Sequence, residues 1–411
     1  MNTFTRRDAE QRDRDDPLAP LRARFELPPG VIYLDGNSLG ALPRGVAEHV
    51  QTCITQEWGE GLIRSWNDAG WYALAGEVGA RLAPLIGAEA DEVIVSDNTS
   101  VNLFKVLSAA LRMRADRSHL LLEAGDFPTS HYIAASAAGQ AGQTVQVCEA
   151  SILADRIDES VSVVSLTQVN YRTGYRHDLA EITRRAHAAG ALVVWDLCHS
   201  AGAMPCDLNA HQVDFAVGCG YKFLNGGPGA PAFLYVARRH VHEARHPLTG
   251  WFGHARPFAF EPDFEPVADI RRMLTGTPGI LGLRALQAAL EVFEGVSLQA
   301  LRDRSVALTG FMMQLIDQQV QGLGLKVLTP RAPEQRGSQV SVTHPEAYAV
   351  MQALIERGVI GDVRAPDILR FGLAPMYSTF TEIWDAMAHL KDILERGVYR
   401  EARFSLRKTV T

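Results

Sequence analysis

The feature of this sequence that most limits its possible folds is an alternation of short apolar runs with helical patterns between residues 93 and 236. The runs are rich in Val, Ile, Leu and Phe and lie at residues 93–96, 120–122, 161–166, 193–196, 214–218 and 230–236. Parallel strands need long crossover connections, which are usually helices. The alternation therefore predicts βαβ units and a mostly parallel sheet in an α/β fold.

A second, smaller α/β pattern follows toward the C-terminus. A long helical region from about residue 281 to 319 is a suitable bridge between two domains. After it we expect strands at 326–328, 339–342 and 368–371, a helix at 348–357, and a final helix with a buried stripe of Ile383, Met387, Leu390 and Leu394. Near the N-terminus we expect a strand at 31–34, a turn rich in Gly and Asn, and a helix that begins at Pro43.

These patterns predict four segments of the chain. Residues 1–16 are expected to be a disordered charged tail, and residues 17–45 an N-terminal segment that packs with the small domain. Residues 46–295 are expected to form a large ligand-binding domain, and residues 296–411 a small C-terminal domain.

The composition narrows the classes of function. An apolar content of 47% with 21% charged residues is ordinary for a globular protein, and a net charge of −7 provides no basic surface for nucleic acid or an anionic membrane. No window is apolar enough to span a bilayer, and the first sixteen residues lack the apolar segment of a secretory signal. We therefore expect a cytoplasmic protein that binds neither nucleic acid nor membranes.

The five cysteines favour reduced thiols over a disulfide framework, because their number is odd and their spacing irregular: Cys53, Cys148, Cys198, Cys206 and Cys219. Cys198 directly precedes His199, but neighbours in sequence do not make a catalytic dyad. A packing role is the better interpretation for this thiol. We predict no metal site.

Two of the apolar runs lead to charged residues that suit one cofactor. Asp196 ends the run at 193–196, and Lys222 follows the run at 214–218 through a glycine-containing stretch. Ligand crevices of open α/β sheets lie beyond the carboxyl ends of the strands. Pyridoxal phosphate (PLP) needs a lysine for a Schiff base with its aldehyde and a carboxylate for its pyridinium nitrogen. An apolar surround favours the neutral amine, so the pair predicts a PLP site.

Each of these two residues also has an ordinary interpretation. An Asp after a strand often caps a helix, and a Lys after a strand usually points into water. The pair is 26 residues apart, with His199 three residues after Asp196 and Tyr221 directly before Lys222. This combination favours the cofactor site over two unrelated surface residues.

Two further turns are candidates for contact with such a cofactor. Thr99 and Ser100 begin a helical pattern directly after the run at 93–96, where free N–H groups and the helix dipole favour a phosphate. The alternative is that they only cap this helix. Phe127 precedes Pro128 after another strand, and its ring suits either stacking on a flat cofactor or anchoring a turn.

Residues 58–71 contain three of the six tryptophans in a stretch with several glycines and little periodicity, which indicates a loop. Aromatic clusters more often pack than recognise ligands. Trp66 is nevertheless a candidate for the wall of a pocket.

Several motifs together carry a family likeness. They are Gly-Asn-Ser-Leu-Gly at 36–40, Thr-Ser-Val-Asn-Leu at 99–103, Phe-Pro-Thr at 127–129, Val-Asn-Tyr at 169–171, Asp-Leu-Cys-His at 196–199, Gly-Tyr-Lys-Phe-Leu-Asn-Gly-Gly-Pro-Gly at 220–229, Gly-Trp-Phe-Gly-His at 250–254, and Arg370. With these motifs the chain resembles the kynureninase family, fold-type I PLP enzymes of the class V aminotransferase group. The resemblance implies the fold-type I PLP-dependent transferase fold, with a large PLP-binding domain and a smaller α/β domain.

The resemblance also implies roles for individual residues around PLP. Lys222 forms the Schiff base, Asp196 pairs with the pyridinium nitrogen, and Phe127 stacks on the ring. The other implied cofactor contacts are Thr99, Ser100 and Tyr221 at the phosphate, Thr167 and His199 beside the ring, Ser130, and, from the neighbouring subunit of a homodimer, Trp251 and Thr277. Ser130 is a departure, because many family members have Asp at this position.

The substrate contacts implied by the resemblance are Arg370 at the α-carboxylate, with Trp66 and Asn37. The residues alone do not assign Arg370, since on a strand it shares a face with Ile368 and a solvated charge is the default. A planar guanidinium is nevertheless well suited to clamp a carboxylate.

The reaction implied is hydrolysis of L-kynurenine to anthranilate and L-alanine in tryptophan catabolism. Lys222 would take the α-proton, and Tyr221, with Lys222 as a second candidate, would donate a proton. One alternative is a cysteine desulfurase or other β-lyase of the same group, which needs a catalytic cysteine on a late loop, whereas this chain has none after Cys219. A non-catalytic PLP-binding protein is the other alternative, and it is disfavoured by the presence of both Lys222 and Arg370.

Overall fold

The computed structural model describes residues 4–407, and the chain divides into two compact units. The larger unit comprises Gly45–Gln168 and His177–Glu291, and the smaller unit comprises Met1–Arg44, Val169–Arg176 and Val292–Thr411. The sequence did not indicate that 169–176 would leave the larger unit. Within the smaller unit, this segment forms a β-bridge from Tyr175 to Arg336.

The strands and helices follow one another in mixed order along the chain. The strands are β1 (Phe25–Glu26), β2 (Ile32–Tyr33), β3 (Leu42–Pro43), β4 (Val93–Ser96), β5 (His119–Glu123), β6 (Thr144–Cys148), β7 (Val161–Thr167), β8 (Leu192–Asp196), β9 (Phe215–Gly218), β10 (Ala232–Val236), β11 (Lys326–Val327), β12 (Gln339–Thr343), β13 (Val359–Ile360), β14 (Asp362–Arg364) and β15 (Ile368–Gly372). The α-helices are α1 (Arg6–Asp15), α2 (Val46–Thr52), α3 (Ser65–Asp68), α4 (Leu74–Ile86), α5 (Thr99–Met113), α6 (Pro128–Ala141), α7 (Leu179–Ala188), α8 (Arg238–Val241), α9 (Ile280–Ala289), α10 (Leu298–Gln319), α11 (Ala347–Glu356) and α12 (Phe380–Arg396).

The larger unit is built on a seven-stranded sheet in the order β4-β10-β9-β8-β7-β5-β6. The pairs from β6 through β9 are parallel, and β10 runs antiparallel to β9 and β4. Strands β4, β7, β9 and β10 are buried along their whole length, as apolar strands covered on both faces are. The mostly parallel sheet predicted from the sequence is confirmed.

The carboxyl ends of five strands lie at one edge of this sheet. Strands β5, β7, β8 and β9 are parallel, and β4 has the same direction because two antiparallel pairings connect it to β9. The segments that follow these strands therefore meet at one edge, which is where α/β sheets bind ligands.

Strand β6 and helix α4 of the larger unit are examples of elements that were not predicted from the sequence. Strand β6 lies at the sheet edge and is mostly exposed or half-buried, so it has no continuous apolar run. Helix α4 does have helical spacing, with Leu74, Val78, Leu82 and Ile86 all buried. We had not identified that pattern.

The smaller unit contains a four-stranded antiparallel sheet in the order β11-β12-β15-β14. Helices α10, α11 and α12 contribute to one apolar core with this sheet, and the predicted stripe of α12 is buried there. In the sheet register, Ser341 of β12 and Asp362 of β14 flank Arg370 of β15. This pairing places an acid beside Arg370.

The expectation of a disordered tail is wrong for Arg6–Asp15, which forms α1. Thr5 and Asp8 make a capping box at its start. Near its end, Asp13 accepts the backbone N–H groups of Phe380 and Thr381, at 2.7 and 2.9 Å, and so caps α12. Helix α1 is ordered because its acids satisfy another helix of the same unit. Residues 1–3 lie outside the described residues.

Three other local predictions differ from the structure. Pro43 belongs to β3, where it pairs with Phe25, and the helix begins only at Val46. The helical region 281–319 is interrupted between α9 and α10, with Gly295 at φ +72° and Ser297 capping α10. The tryptophan-rich stretch is helical rather than a loop, since it contains a π-helix at Cys53–Gly61 and α3. No helix within residues 4–407 is long and apolar enough to cross a membrane.

Candidate active site

The carboxyl edge of the large sheet brings together most of the candidate residues of the larger unit. Thr167 ends β7 and pairs in register with Asp196, which ends β8. Tyr221 and Lys222 follow β9, and Thr99 begins α5 directly after β4. These residues meet because each follows a strand of the same direction.

Lys222 is held by an imidazole. Its Nζ lies 3.0 Å from Nε2 of His199 and 5.8 Å from the centre of the Tyr221 ring. An ammonium group paired with a carboxylate strongly favours its charged form, whereas an imidazole partner does not impose that charge. The arrangement therefore suits a lysine that must react as a neutral amine.

Asp196 is oriented by the turn that follows β8. Its Oδ1 accepts the backbone N–H of Cys198 at 2.7 Å, which is a local side-chain turn rather than the cap of an α-helix. One oxygen is thus fixed. The Cys198 thiol is buried, and its hydrogen bond to Cys219 together with burial raises its pKa. Cys198 is therefore a neutral packing group, as predicted.

Tyr221 keeps its proton over the whole neutral range. Burial is the main cause that raises the pKa of its phenol, and the nearby Cys219, Cys198 and Asp196 raise it further. A phenol in this state can donate a proton but is not a ready base.

The start of α5 has a cap that the sequence analysis did not name. The side chain of Asn98 accepts the backbone N–H of Val101 at 3.1 Å. Thr99 and Ser100 are the first two residues of the helix, so the alternative that they serve as its cap is excluded. The Thr99 hydroxyl lies 3.7 Å from Sγ of Cys198, which connects this helix end with the turn after β8.

Phe127 and Ser130 lie at the start of α6. Phe127 is the N-cap residue, and its side chain is 47% exposed although Pro128 directly follows it. Ser130 is buried and donates its backbone N–H to the carbonyl of Phe127 at 2.9 Å. About half of the Phe127 side chain is thus accessible, whereas Ser130 brings no charge to this helix end.

Asp126 is a buried acid that the sequence analysis missed. Its Oδ1 accepts the hydroxyl of Thr167 and the backbone N–H of Phe127. Burial, with a smaller contribution from Asp196, raises the pKa of this carboxyl to about 7. The available sequence signal was an acid just beyond a strand, the same signal that identified Asp196.

Trp66 and Trp251 belong to one group of aromatic rings in the larger unit. The rings of both contact Phe252, with centres 5.8 and 4.4 Å away, and Trp66 also meets Trp71 edge-on at 5.8 Å. Trp66 is half-buried, whereas Trp251 is 41% exposed and Thr277 is exposed in a loop. Trp66 therefore packs against rings and still keeps part of its surface accessible.

In the smaller unit, Arg370 is buried rather than solvated. Only 1% of it is exposed. Its Nε donates to Oδ1 of Asp362 at 2.7 Å, Nη2 donates to Asp362 and to the Ser38 hydroxyl, and Nη1 donates to the Tyr171 carbonyl at 2.7 Å. The default of a solvated charge is therefore wrong, because the neighbouring strand β14 supplies an acid and the segment 169–176 supplies a carbonyl.

Asn37 lies beside this arginine and is fully buried. With its amide oriented to suit its neighbours, its oxygen is 3.1 Å from Nε of Arg370 and its nitrogen is 3.2 Å from Asp35. A side chain on Gly372 would collide with Asn37, since a Cβ there would lie 1.9 Å from the Asn37 amide. The glycine at the end of β15 is thus required for this contact.

Two acids around Arg370 were not identified from the sequence. Asp362 is shared between Arg370 and Arg364, whose Nη2 lies 2.9 Å away, and desolvation opposed by these arginines leaves its pKa below the usual range. Asp35 is half-buried nearby, and desolvation, followed by repulsion from Asp362, raises its pKa to about 7. The group therefore combines two guanidinium groups with one firmly ionised acid.

Comparison with known proteins decides the family. The chain is 51% identical to kynureninase from Burkholderia mallei (strain SAVP1) over 414 aligned positions, which cover 99% of this chain and 100% of that protein. It is 50% identical to kynureninase from Pseudomonas fluorescens with the same coverage. The chain belongs to the kynureninase family. Residues 301–390 also match the model of the kynureninase C-terminal domain.

Solved structures of other proteins share the fold of this kynureninase-family chain. A variant of the cystine C–S lyase C-DES, with glycine covalently linked to its PLP cofactor, superimposes with a TM-score of 0.79 at 20% identity, covering 90% of this chain and 99% of that one. The cysteine desulfurase of Thermococcus onnurineus NA1 gives 0.78 at 19% identity, with 92% and 98% covered. At such identities the likeness concerns the fold, and the predicted fold-type I architecture is confirmed.

Proposed function

We propose that this kynureninase-family protein uses PLP to hydrolyse L-kynurenine to anthranilate and L-alanine. The observation that carries the proposal is the lysine–imidazole pair of Lys222 and His199 at the sheet edge where Asp196 ends a neighbouring strand. Relatives about half identical over their full length are named kynureninase, which supports the same reaction.

The residues of the larger unit fit PLP by their chemistry. An amine bonded to an imidazole is suited to hold the aldehyde, a carboxylate at the end of β8 is suited to a ring nitrogen cation, and an exposed phenyl ring at Phe127 is suited to stacking. Bound PLP supplies an electron sink for the bonds at the substrate's α-carbon. We therefore assign Lys222, Asp196 and Phe127 to the aldehyde, the ring nitrogen and the ring face.

The first turn of α5 is our proposed phosphate site. Its free N–H groups and dipole favour an anion, and Asn98 serves as the cap, so neither the Thr99 nor the Ser100 hydroxyl is needed to cap the helix. Tyr221 is the third proposed phosphate contact. We place Thr167, His199 and Ser130 among the remaining residues around the cofactor.

Proton transfer is assigned to Lys222 and Tyr221. The amine of Lys222 takes the substrate's α-proton, and its hydrogen bond to His199 directs it. Tyr221 returns a proton to the β-carbon at the end of the cleavage. Because burial raises the pKa of this phenol, Tyr221 retains its proton until that step.

Arg370 is our proposed clamp for the substrate α-carboxylate. The ion pair with Asp362 fixes the guanidinium in one orientation, so little side-chain freedom is lost on binding. Since Asn37 is fully buried, we assign it to positioning Arg370 from behind. Trp66, which is half-buried among other rings, is our candidate for contact with the aromatic ring of kynurenine.

We further propose a cytoplasmic homodimer that acts in tryptophan catabolism and so can feed NAD biosynthesis. Trp251 and Thr277 are exposed in the single chain, which supports their proposed role in reaching the phosphate of the partner subunit.

The main alternative is a cysteine desulfurase-like β-lyase, because solved desulfurases share the fold. Such chemistry needs a reactive thiol on a mobile loop late in the chain. The last cysteine here is Cys219, which is buried beside Cys198. Kynurenine hydrolysis is therefore the better proposal.

The two reactions are separated by one assay on the PLP-loaded protein. With L-kynurenine we expect a rise in anthranilate fluorescence, and with L-cysteine we expect no release of sulfide. The Lys222→Ala variant serves as the blank. Absence of anthranilate with a fully loaded wild-type protein would overturn the proposal.

A further inference from the structure

Asp126 is a buried titratable group to which no role has yet been assigned. It is 7% exposed and lies in the turn between β5 and α6. Its Oδ1 accepts both the Thr167 hydroxyl and the Phe127 backbone N–H. A buried carboxyl that shares a hydroxyl with the end of a central strand is not a surface charge.

The position of Thr167 connects Asp126 to Asp196. Thr167 and Asp196 are register partners at the carboxyl ends of β7 and β8, and the Thr167 hydroxyl donates to Asp126. Two carboxyl groups therefore flank one threonine at the sheet edge assigned to the cofactor. Burial of Asp126 and the charge of the neighbouring half-buried Asp196 both oppose ionisation of Asp126, so its carboxyl favours the protonated form.

The other charged groups around Asp126 do not relieve this repulsion. Glu123, at the end of β5, adds a further negative charge and is bonded to His177 at 2.6 Å. Lys222 and His199 are bonded to each other. Burial and the neighbouring acids Asp196 and Glu123 oppose ionisation of Asp126. The two hydrogen bonds to its Oδ1 favour the ionised form.

We propose that Asp126 is a positioning residue that tunes the charge on the proposed cofactor site. At about pH 6 Asp126 holds a proton, so it adds no negative charge to the cofactor site. As the pH rises, Asp126 releases its proton to solvent, and a second negative charge then strengthens the hold on the ring cation. This inference rests on the proposed pairing of Asp196 with PLP.

A purely structural role for Asp126 makes a different prediction. An asparagine can accept both the Thr167 hydroxyl and the Phe127 N–H through its amide oxygen. Asp126→Asn therefore keeps the contacts that support the turn and removes only the titratable proton. A structural role would leave the PLP affinity of the Asp126→Asn protein equal to that of wild type at every pH.

The experiment measures the dissociation constant of PLP by equilibrium dialysis for wild type and Asp126→Asn. At about pH 6 we expect equal constants, because a neutral carboxyl and an amide carry the same charge. At about pH 8.5 we expect the variant to bind PLP roughly tenfold more weakly, since it lacks the second charge. Asp155→Asn, which neutralises an acid that is 81% exposed, is the matched control and should give a ratio of one throughout.

The outcomes separate this inference from the proposed function. If the ratio of the two dissociation constants, Asp126→Asn to wild type, does not change with pH while wild type binds PLP normally, only the role of Asp126 is overturned. Failure of wild type to bind PLP at any pH overturns the proposed function as well.

A second variant covers the case in which Asp126→Asn does not fold. Thr167→Val removes a hydrogen bond that favours ionised Asp126, so the rise in PLP affinity should move to higher pH. An unmoved midpoint contradicts the inference.

Discussion

Arg370 and Asp362 form a two-point ion pair inside the smaller unit, with Nε of Arg370 2.7 Å from Oδ1 of Asp362 and Nη2 bonded to Oδ2. Both residues are buried and face each other across β14 and β15. Most of the donors on Arg370 are already used by protein groups. A ligand carboxylate would therefore meet a guanidinium that is fixed in place, which makes the shape of the side chain as important as its charge.

The first prediction follows from this shape. Arg370→Lys keeps the positive charge but loses the planar fork, so it cannot reproduce the paired bonds to Asp362 and still reach a carboxylate. We expect kcat/KM for L-kynurenine to fall about 100-fold, roughly 3 kcal/mol, with PLP content unchanged. Arg403→Lys, at an arginine that is 53% exposed, is the control. A change within about twofold would contradict the role of Arg370.

Lys222→Ala should abolish turnover and the visible absorption of the bound cofactor. Without the amine that is bonded to His199, the protein has no group at this position to hold the aldehyde or take the α-proton. Lys391→Ala, which removes a lysine that is 44% exposed, should retain both properties. Absorption spectra and anthranilate fluorescence provide the test, and a Lys222→Ala protein with normal turnover would refute the assignment.

The stability of the cofactor-free protein should depend on pH through Asp126. An acid whose pKa is about 7 when folded and about 3.9 when unfolded favours folding fully only below the unfolded value. Its contribution is therefore lost as the pH rises from about 4 to 7, by at most ~4 kcal/mol. Asp126→Asn has no such loss. The free energy of unfolding of the variant, relative to that of wild type, should therefore increase as the pH rises across this range. Urea titrations at several pH values measure the difference, and parallel pH profiles would disprove it.

Mixing two inactive variants should restore activity if the active sites are shared between subunits. Lys222→Ala lacks the proposed base, and Trp251→Ala/Thr277→Ala lacks the proposed contacts from the partner. A mixed dimer contains one site with neither defect. We expect about a quarter of wild-type activity after random exchange of subunits. Proven exchange without any recovery would exclude shared sites.

Trp66 should favour L-kynurenine over its 3-hydroxy analogue. Its broad apolar face offers no partner to a ring hydroxyl, and an unpaired buried hydroxyl costs about 1–3 kcal/mol, or roughly 5- to 200-fold in specificity. Trp66→His should narrow the ratio of the two kcat/KM values. If Trp66 serves only the packing with Trp71 and Phe252, the substitution will lower stability and leave the ratio unchanged. A wild-type preference for the hydroxylated substrate would reject the prediction.

Much of the larger unit could be predicted because its information is local. Buried parallel strands such as β7 and β8 are continuous apolar runs, and a parallel sheet places whatever follows them at one edge. Asp196 and Lys222 could therefore be paired from spacing alone. The motifs around them also sufficed to indicate the kynureninase family.

Features that depend on distant neighbours could not be predicted in this way. Strand β6 was missed because an exposed edge strand has no apolar run, and the order of α1 depends on Asp13 capping a helix more than 360 positions later. The charged composition of residues 1–16 is compatible with either a helix or a disordered tail. Only the packed partner decides between the two.

The sequence by itself determined the α/β architecture, the lysine and acid of the proposed cofactor site, and the family, since all of these depend on residue type and spacing. Only the tertiary structure decided the states of Arg370 and Asp126. Arg370 lies in the middle of β15 and Asp126 in the turn after β5, and for both charged side chains exposure to water is the usual expectation. Asp362 fixes the buried guanidinium of Arg370. Thr167 holds the carboxyl of Asp126 by a hydrogen bond, while burial and the nearby Asp196 raise its pKa. Burial and the pKa of a side chain are properties of its neighbours in space, which spacing along the chain does not specify.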